Sequence, residues 1–219
     1  MELEKNIKTR KLLQRLLRLE DIVVGKPFPG MKRVRQISSY HCGPAVIVEL
    51  FSFLGKNISQ IAIVRSLRAK NKIRQLGLTI HDLARATNIL GKKEVVFWWK
   101  HRSAINDISL AINKYGYPVG VEWQGVFYED EDEDNGHYAV ITKVDKKANY
   151  LRICDSYSDF AGVDRRFRIK DFEKRWWDVN EVKISGRTKT RKIKDIRMMF
   201  VITPKGETWP KKLHMVKAL

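Results

Sequence analysis

Two cysteines in 219 residues leave no material for a disulfide framework. No apolar run approaches the about 18 residues that a membrane-spanning helix needs. The first residues, from Met1 to Leu13, carry acids and lack the apolar stretch of a secretory signal. Each absence points to a protein that works in the cytoplasm with reduced thiols. Acids are also scarce, 25 against 43 Lys and Arg, for a net charge of +18. Such an excess attracts polyanions: nucleic acid, anionic lipid or acidic protein. It equally describes a highly charged, solvated surface. The 43% share of hydrophobic residues is ordinary, and the length suffices for one full core.

The chain is organised around Gln36 to Gly55, QISSYHCGPAVIVELFSFLG. Val46, Leu50, Phe53 and Leu54 recur at helical spacing, so this stretch reads as a helix packed on a core. Pro44 suits its first turn and Gly55 its C-terminal end. Cys42 then stands at a helix N-terminus, where unpaired N–H groups and the macrodipole favour a thiolate. A buried structural cysteine is the plainer reading, but the polar approach and the Gly43-Pro44 pair argue for a turn.

Around this core the chain divides in two. Residues 5–20 read as a basic amphipathic helix with Leu12, Leu13, Leu16 and Leu17 on one face, followed by an extended arm rich in Gly and Pro. After the central helix, Ser59 predicts the N-cap of a helix to about Ala69, and Lys70 to Arg74 a basic turn. Thr79 with Asp82 forms a capping box for a helix ending at Gly91, and Ser103 caps another to about Tyr115. A short strand at 94–99 lies between the last two.

From Pro118 the pattern turns to strands: 118–123, 137–145, 149–154, 163–169 and 198–203. The second and third form a hairpin across a Lys-Lys-Ala turn, and His137–Asp145 alternates as a half-buried strand. A short helix spans 171–177. Lys183–Arg197 reads as a basic surface loop or edge hairpin. Glu129 to Asp134 is a run of consecutive acids, read as a solvated loop tip. Helices first and an antiparallel sheet after them define an α+β class.

A nucleophilic thiol needs a base, and the base needs an orienting partner. His137 opens one strand of the expected hairpin and Asp155 follows the other, so both come to the same end of the sheet. Alone, His137 is a strand-edge histidine and Asp155 an Asx-turn residue. Together with Cys42, each at an element end, they form a candidate catalytic set. A metal pair at His41-Cys42 would need two further ligands that the sequence does not supply at suitable spacing. No cofactor and no metal are expected.

These residues carry a resemblance. Gln36, then Cys42-Gly43 opening a helix, then Gly136-His137-Tyr138-Ala139-Val140-Ile141, then Asp155 at a strand end resemble the papain-like cysteine peptidases of the bacteriocin-processing, double-glycine-leader group and its free-standing relatives. Phe172-Glu173-Lys174-Arg175-Trp176 resembles that group's closing helix. His41 stands where the group often has an acid, and Ser156 where it commonly has Pro. The resemblance spans about residues 34–179 and implies a papain-like α+β fold, with Cys42 at a helix N-terminus packed on an antiparallel sheet that carries His137 and Asp155. It implies Cys42 as nucleophile, His137 as acid and base, Asp155 as its orienting partner and Gln36 as an oxyanion donor beside the Cys42 N–H.

The expected organisation is an N-terminal helix and arm at 1–30, a peptidase domain at 31–204 and a tail at 205–219. The expected function is peptide-bond hydrolysis on a peptide or protein substrate. Two alternatives stay open: an idle papain-like module that binds nucleic acid or another polyanion through its basic surface, and a non-peptidase thiol acyl-transfer enzyme.

Overall fold

In the computed structural model, residues 20–23, 26–127, 136–183 and 190–218 are described. The expected amphipathic helix at 5–20, apart from Glu20, which opens a strand, and the acidic run 129–134 lie outside them, as does the middle of the basic stretch 183–197.

Eight strands form one antiparallel sheet. They are β1 (Glu20–Val23), β2 (Val95–Lys100), β3 (Val119–Gln124), β4 (Gly136–Asp145), β5 (Tyr150–Cys154), β6 (Asp164–Arg168), β9 (Met199–Pro204) and β10 (Val216–Lys217). Their spatial order is β1-β6-β5-β4-β3-β9-β2-β10. Two more, β7 (Trp177–Lys183) and β8 (Thr190–Ile196), make a separate antiparallel ribbon. The helices are α1 (Cys42–Phe53), α2 (Gln60–Ser66), α3 (Lys70–Leu76), α4 (Ile80–Leu90), α5 (Ile105–Asn113) and α6 (Ile169–Arg175). This is the expected α+β arrangement with a large antiparallel sheet.

The sheet is covered on both faces, and strand alternation sorts its residues between two cores. Tyr138, Val140, Phe200 and Ile202 face α1, α2 and α4, meeting Val46, Leu50, Ile63 and Leu83. Ala139, Ile141, Met199 and Val201 face the other way, onto α5, α6 and the buried Trp209 and Leu213. The strand at 137–145 is therefore not half-buried as its alternation suggested. Ala139 and Ile141 are as fully buried as Val140. Helices on the second face explain the difference, because alternation reads polarity and not the number of layers.

Local signals held where the chemistry was short-range. Ser59 Oγ accepts from Ala62 N at 3.1 Å, and Thr79 and Asp82 form the capping box of α4. Gly55, at φ 71°, ends α1. Two expectations fail. Lys70–Leu76 is a helix, with buried Ile73 anchoring it, and not a basic turn. Ser103 does not cap α5; its hydroxyl is buried without a partner. Asp107 Oδ2 instead accepts from the Ala104 N–H at 2.8 Å, so an acid inside the first turn supplies the cap.

Candidate active site

Cys42 is the first residue of α1, and its N–H has no intrahelical acceptor. The turn before it is tied down by its own side chains. Ser38 O accepts from His41 N at 3.1 Å, and Ser38 Oγ lies 2.6 Å from His41 Nδ1. Gly43 sets the depth of the helix: a Cβ there would meet Leu83 at 3.1 Å and Tyr138 at 3.3 Å. Without that methyl, the start of α1 seats against β4, which carries His137 at its second residue.

His137 is buried between two partners. Its Nε2 lies 2.8 Å from Asp155 Oδ1, and the ring interacts with the Cys42 thiol as well. Nε2 being engaged by the carboxylate leaves Nδ1 for the sulfur. Burial opposes charge on the imidazole, but the Asp155 charge and hydrogen bond outweigh it and push His137 from 6.5 up to about 10. Burial likewise opposes a thiolate. The His137 hydrogen bond and charge, with the N–H groups of Tyr138 and Gly43, overcome it and hold the Cys42 thiol below its ordinary value. Asp155, despite its burial, is held well below the usual carboxylate range by the His137 charge and hydrogen bond and by Arg165. All three shifts favour the charged forms: thiolate, imidazolium and carboxylate.

Gln36 lies at the back of this turn and is buried. Its N–H donates to Ser156 O at 2.8 Å, and its Oε1 accepts from Ser156 Oγ at 3.1 Å. Nε2 spends one N–H on Ser38 O at 3.0 Å. These bonds fix the amide to the segment after Asp155, and so link the Cys42 turn to the carboxylate end of the sheet.

The family model described as the Peptidase_C39 like family matches residues 29–184. The chain belongs to this family. The peptidase domain of Streptococcus ComA, a bi-functional ABC transporter involved in a quorum sensing pathway, shares the fold at a TM-score of 0.53. It is 20% identical, and the match covers 80% of this chain and 99% of that one. A double glycine motif protease from an AMS/PCAT transporter, solved in complex with the leader peptide, gives a TM-score of 0.51. It is 11% identical, over 84% of this chain and 99% of that one. At these identities the likeness establishes the fold. No curated protein matches.

In this Peptidase_C39-like chain the sequence did not reveal how Asp155 is held. Arg165 Nη1 donates to Asp155 Oδ2 at 2.7 Å, and Nη2 donates to Val126 O at 2.7 Å. The guanidinium lies 3.5 Å from the Phe160 ring centroid, in cation–π contact. The Tyr157 N–H completes the set, donating to Asp155 Oδ1 at 2.9 Å. Phe127 lies edge-on to the His137 ring at 5.1 Å and shields it. One signal could have singled out Arg165. In β6 it alternates inward with Phe167, paired across to Ile153 and Leu151. The adjacent Arg166 hid it, because the two are alike by composition.

Among the described residues, no three His, Cys, Asp or Glu side chains are grouped so as to hold a metal ion. None of the described helices is long and apolar enough to cross a membrane.

Proposed function

We propose that the chain is a cysteine peptidase that hydrolyses peptide bonds through Cys42, His137 and Asp155. One observation carries this reading: His137 is buried between the Cys42 thiol and Asp155, bonded to the carboxylate at 2.8 Å, with charge favoured on all three. The Cys42 thiolate attacks the scissile carbonyl carbon. The carbonyl oxygen becomes an oxyanion, for which the Cys42 N–H and the remaining N–H of Gln36 Nε2 are the donors. Protonated His137 then gives its proton to the leaving amine, the C–N bond breaks and a thioester remains on Cys42. Neutral His137 next removes a proton from water, whose hydroxide displaces the thiolate and releases the acid. Asp155 holds the imidazole in the tautomer that serves both steps.

The substrate class is a peptide, as in the double glycine motif protease solved with its leader peptide. The catalytic unit spans 31–204. A nucleophile that must stay reduced suits the cytoplasm.

The test is labelling of the intact protein by a thiol-directed electrophile, followed by mass spectrometry across pH. Cys42→Ala and His137→Ala are run beside it, together with hydrolysis of a peptide library. The expected result is fast labelling at Cys42 well below pH 8, slowed in His137→Ala, and cleavage abolished in Cys42→Ala. An ordinary thiol profile with no cleavage would refute the reading.

A further inference from the structure

A cavity of about 600 Å³ opens beside Cys42, on the sheet face that α1 covers. Its chemistry runs against the composition of the chain. Among 43 Lys and Arg and only 25 acids, the described cavity walls hold Glu122, Asp178 and Glu181 with a single cation, Arg74. Arg74 is exposed and makes no ion pair among the described residues.

Neutral amides hold Glu122 and Asp178, and Glu181 lies 3.8 Å from the exposed Lys192 Nζ. Asn180 Nδ2 donates to Glu122 Oε1 at 3.0 Å and to Asp195 Oδ2 at 2.9 Å. Gln124 Nε2 donates to Asp178 Oδ1 at 2.9 Å. These amides fix Glu122 and Asp178 in place, while burial and the Asp178 charge push the Glu122 carboxyl well above its ordinary value, so it becomes the counter-charge only as a cation enters beside it.

Two buried polar atoms on the cavity wall are left over. Glu122 is 1% exposed and its Oε2 has no hydrogen-bond partner. The Tyr138 hydroxyl lies beside that carboxyl, itself buried, and completes no hydrogen bond of good geometry. A buried carboxylate oxygen without a donor is costly, and rare in a finished core. At the wall of a cavity next to a nucleophile, it is a group lacking its donor. The cavity is also far larger than a glycine residue would fill.

We propose that this cavity is a specificity pocket that seats the cationic side chain of an arginine or lysine in the substrate peptide, with Glu122 as its main counter-charge and the Tyr138 hydroxyl beside it. The guanidinium or ammonium supplies the donors that Glu122 Oε2 lacks. Asp178 adds a second negative charge on the β7 side. As a statement about substrate, this rests on the peptidase reading of Cys42. As a statement about binding, it does not need turnover.

The experiment separates the two. Full-length protein carrying Cys42→Ala is titrated with Nα-acetyl-arginine methylamide and with its neutral counterpart, Nα-acetyl-citrulline methylamide, and binding is followed by NMR. The arginine compound is expected to bind about tenfold or more tightly than the citrulline compound, as loss of a charge partner in a desolvated site requires. Adding Glu122→Gln is expected to erase that preference. Equal binding of the two compounds, binding of neither, or a preference that survives Glu122→Gln overturns the proposal.

Because Glu122 is buried, Asp178→Asn is measured in parallel, with circular dichroism on each variant. If Glu122→Gln does not fold, a preference unchanged in Asp178→Asn overturns the proposal and a reduced one supports it. A reactive Cys42 thiolate without charge preference sinks the pocket alone. Charge preference with an inert Cys42 sinks the peptidase reading alone.

Discussion

Arg165 donates to Asp155 Oδ2 at 2.7 Å with both side chains fully buried, so the carboxylate that orients His137 is itself held by a buried cation. Arg165 is a positioning residue, acting through Asp155. Replacing it with Leu strands a buried negative charge, which costs about 3–5 kcal/mol when one partner of such a pair is removed. Urea unfolding of Arg165→Leu should show that loss. Asp155 should also take up protons at higher pH, moving the acid limb of the activity profile upward. An unchanged acid limb would mean that Arg165 serves only stability.

The pH dependence follows from the site's charges. His137 is raised from 6.5 to about 10 and Cys42 is lowered from the ordinary thiol value, so both shifts favour the ion pair. Cleavage should lose rate on the acid side as the thiolate protonates, and on the alkaline side as pH approaches 10 and the imidazolium proton is lost. For stability, a folded-state pKa raised above the unfolded value gives a contribution that is full below 6.5 and lost as pH rises toward 10. The Tm difference between wild type and His137→Gln should therefore shrink over that interval. A difference that stays constant would contradict an imidazolium in the folded state.

Gln36 should matter for rate more than for binding. Removing one oxyanion donor costs on the order of 100-fold in kcat. Gln36→Ala should show that loss with KM little changed. Ser156→Ala, which removes only the hydroxyl that steadies the Gln36 amide, should lose much less. Equal kcat in Gln36→Ala and wild type would remove Gln36 from the mechanism.

Glu49 lies about two turns beyond Cys42 in α1, with Oε1 accepting from Val34 N at 3.1 Å and Oε2 unpartnered. Burial pushes its carboxyl from 4.5 up to about 8. The folded protein thus keeps a proton that the unfolded chain loses, and stability should fall as pH rises from 4.5 through about 8. Glu49→Gln keeps the shape without the charge. Its melting temperature should exceed the wild type's above pH 8 and approach it near pH 5. Parallel curves at all pH would show that Glu49 does not titrate in this range.

Gly120 faces Phe200 across the β3–β9 pair, where an added Cβ would meet that ring at 2.2 Å. Phe200 in turn stacks on Phe97 at 5.2 Å, so it has little room to yield. Gly120→Ala should cost about 1–3 kcal/mol through overpacking. Denaturation measured by tryptophan fluorescence would read it, and a variant as stable as wild type would show that the ring can turn aside.

The order of elements was legible in the chain because its signals are local. Capping at Ser59 and Thr79, helical spacing from Val46 to Leu54 and the Lys-Lys-Ala turn each act over a few residues. The Cys42 turn, the His137 strand and Asp155 at a strand end could be named for the same reason. Lys70–Leu76 was misread because its basic surface outweighed the buried Ile73 that packs it as a helix against the core.

What determines the site is decided at longer range. The β4–β5 hairpin starts with Asp145 opposite Tyr150, a register that would carry Asp155 opposite Val140, on the face away from His137. An irregularity between Ile141 and Lys143 shifts the pairing, so Val140 meets Cys154 instead. Extended by one residue, that register sets Asp155 against Ala139, on the His137 face. The sequence by itself determined that a cysteine, a histidine and an aspartate stand at the ends of their elements. Only the tertiary structure decided that His137 and Asp155 share a face, that Arg165 rather than Arg166 supports them, and that Glu122 looks into a cavity. The reason is that residue type and periodicity are properties of a segment, whereas a one-residue shift in pairing reverses which face a side chain occupies.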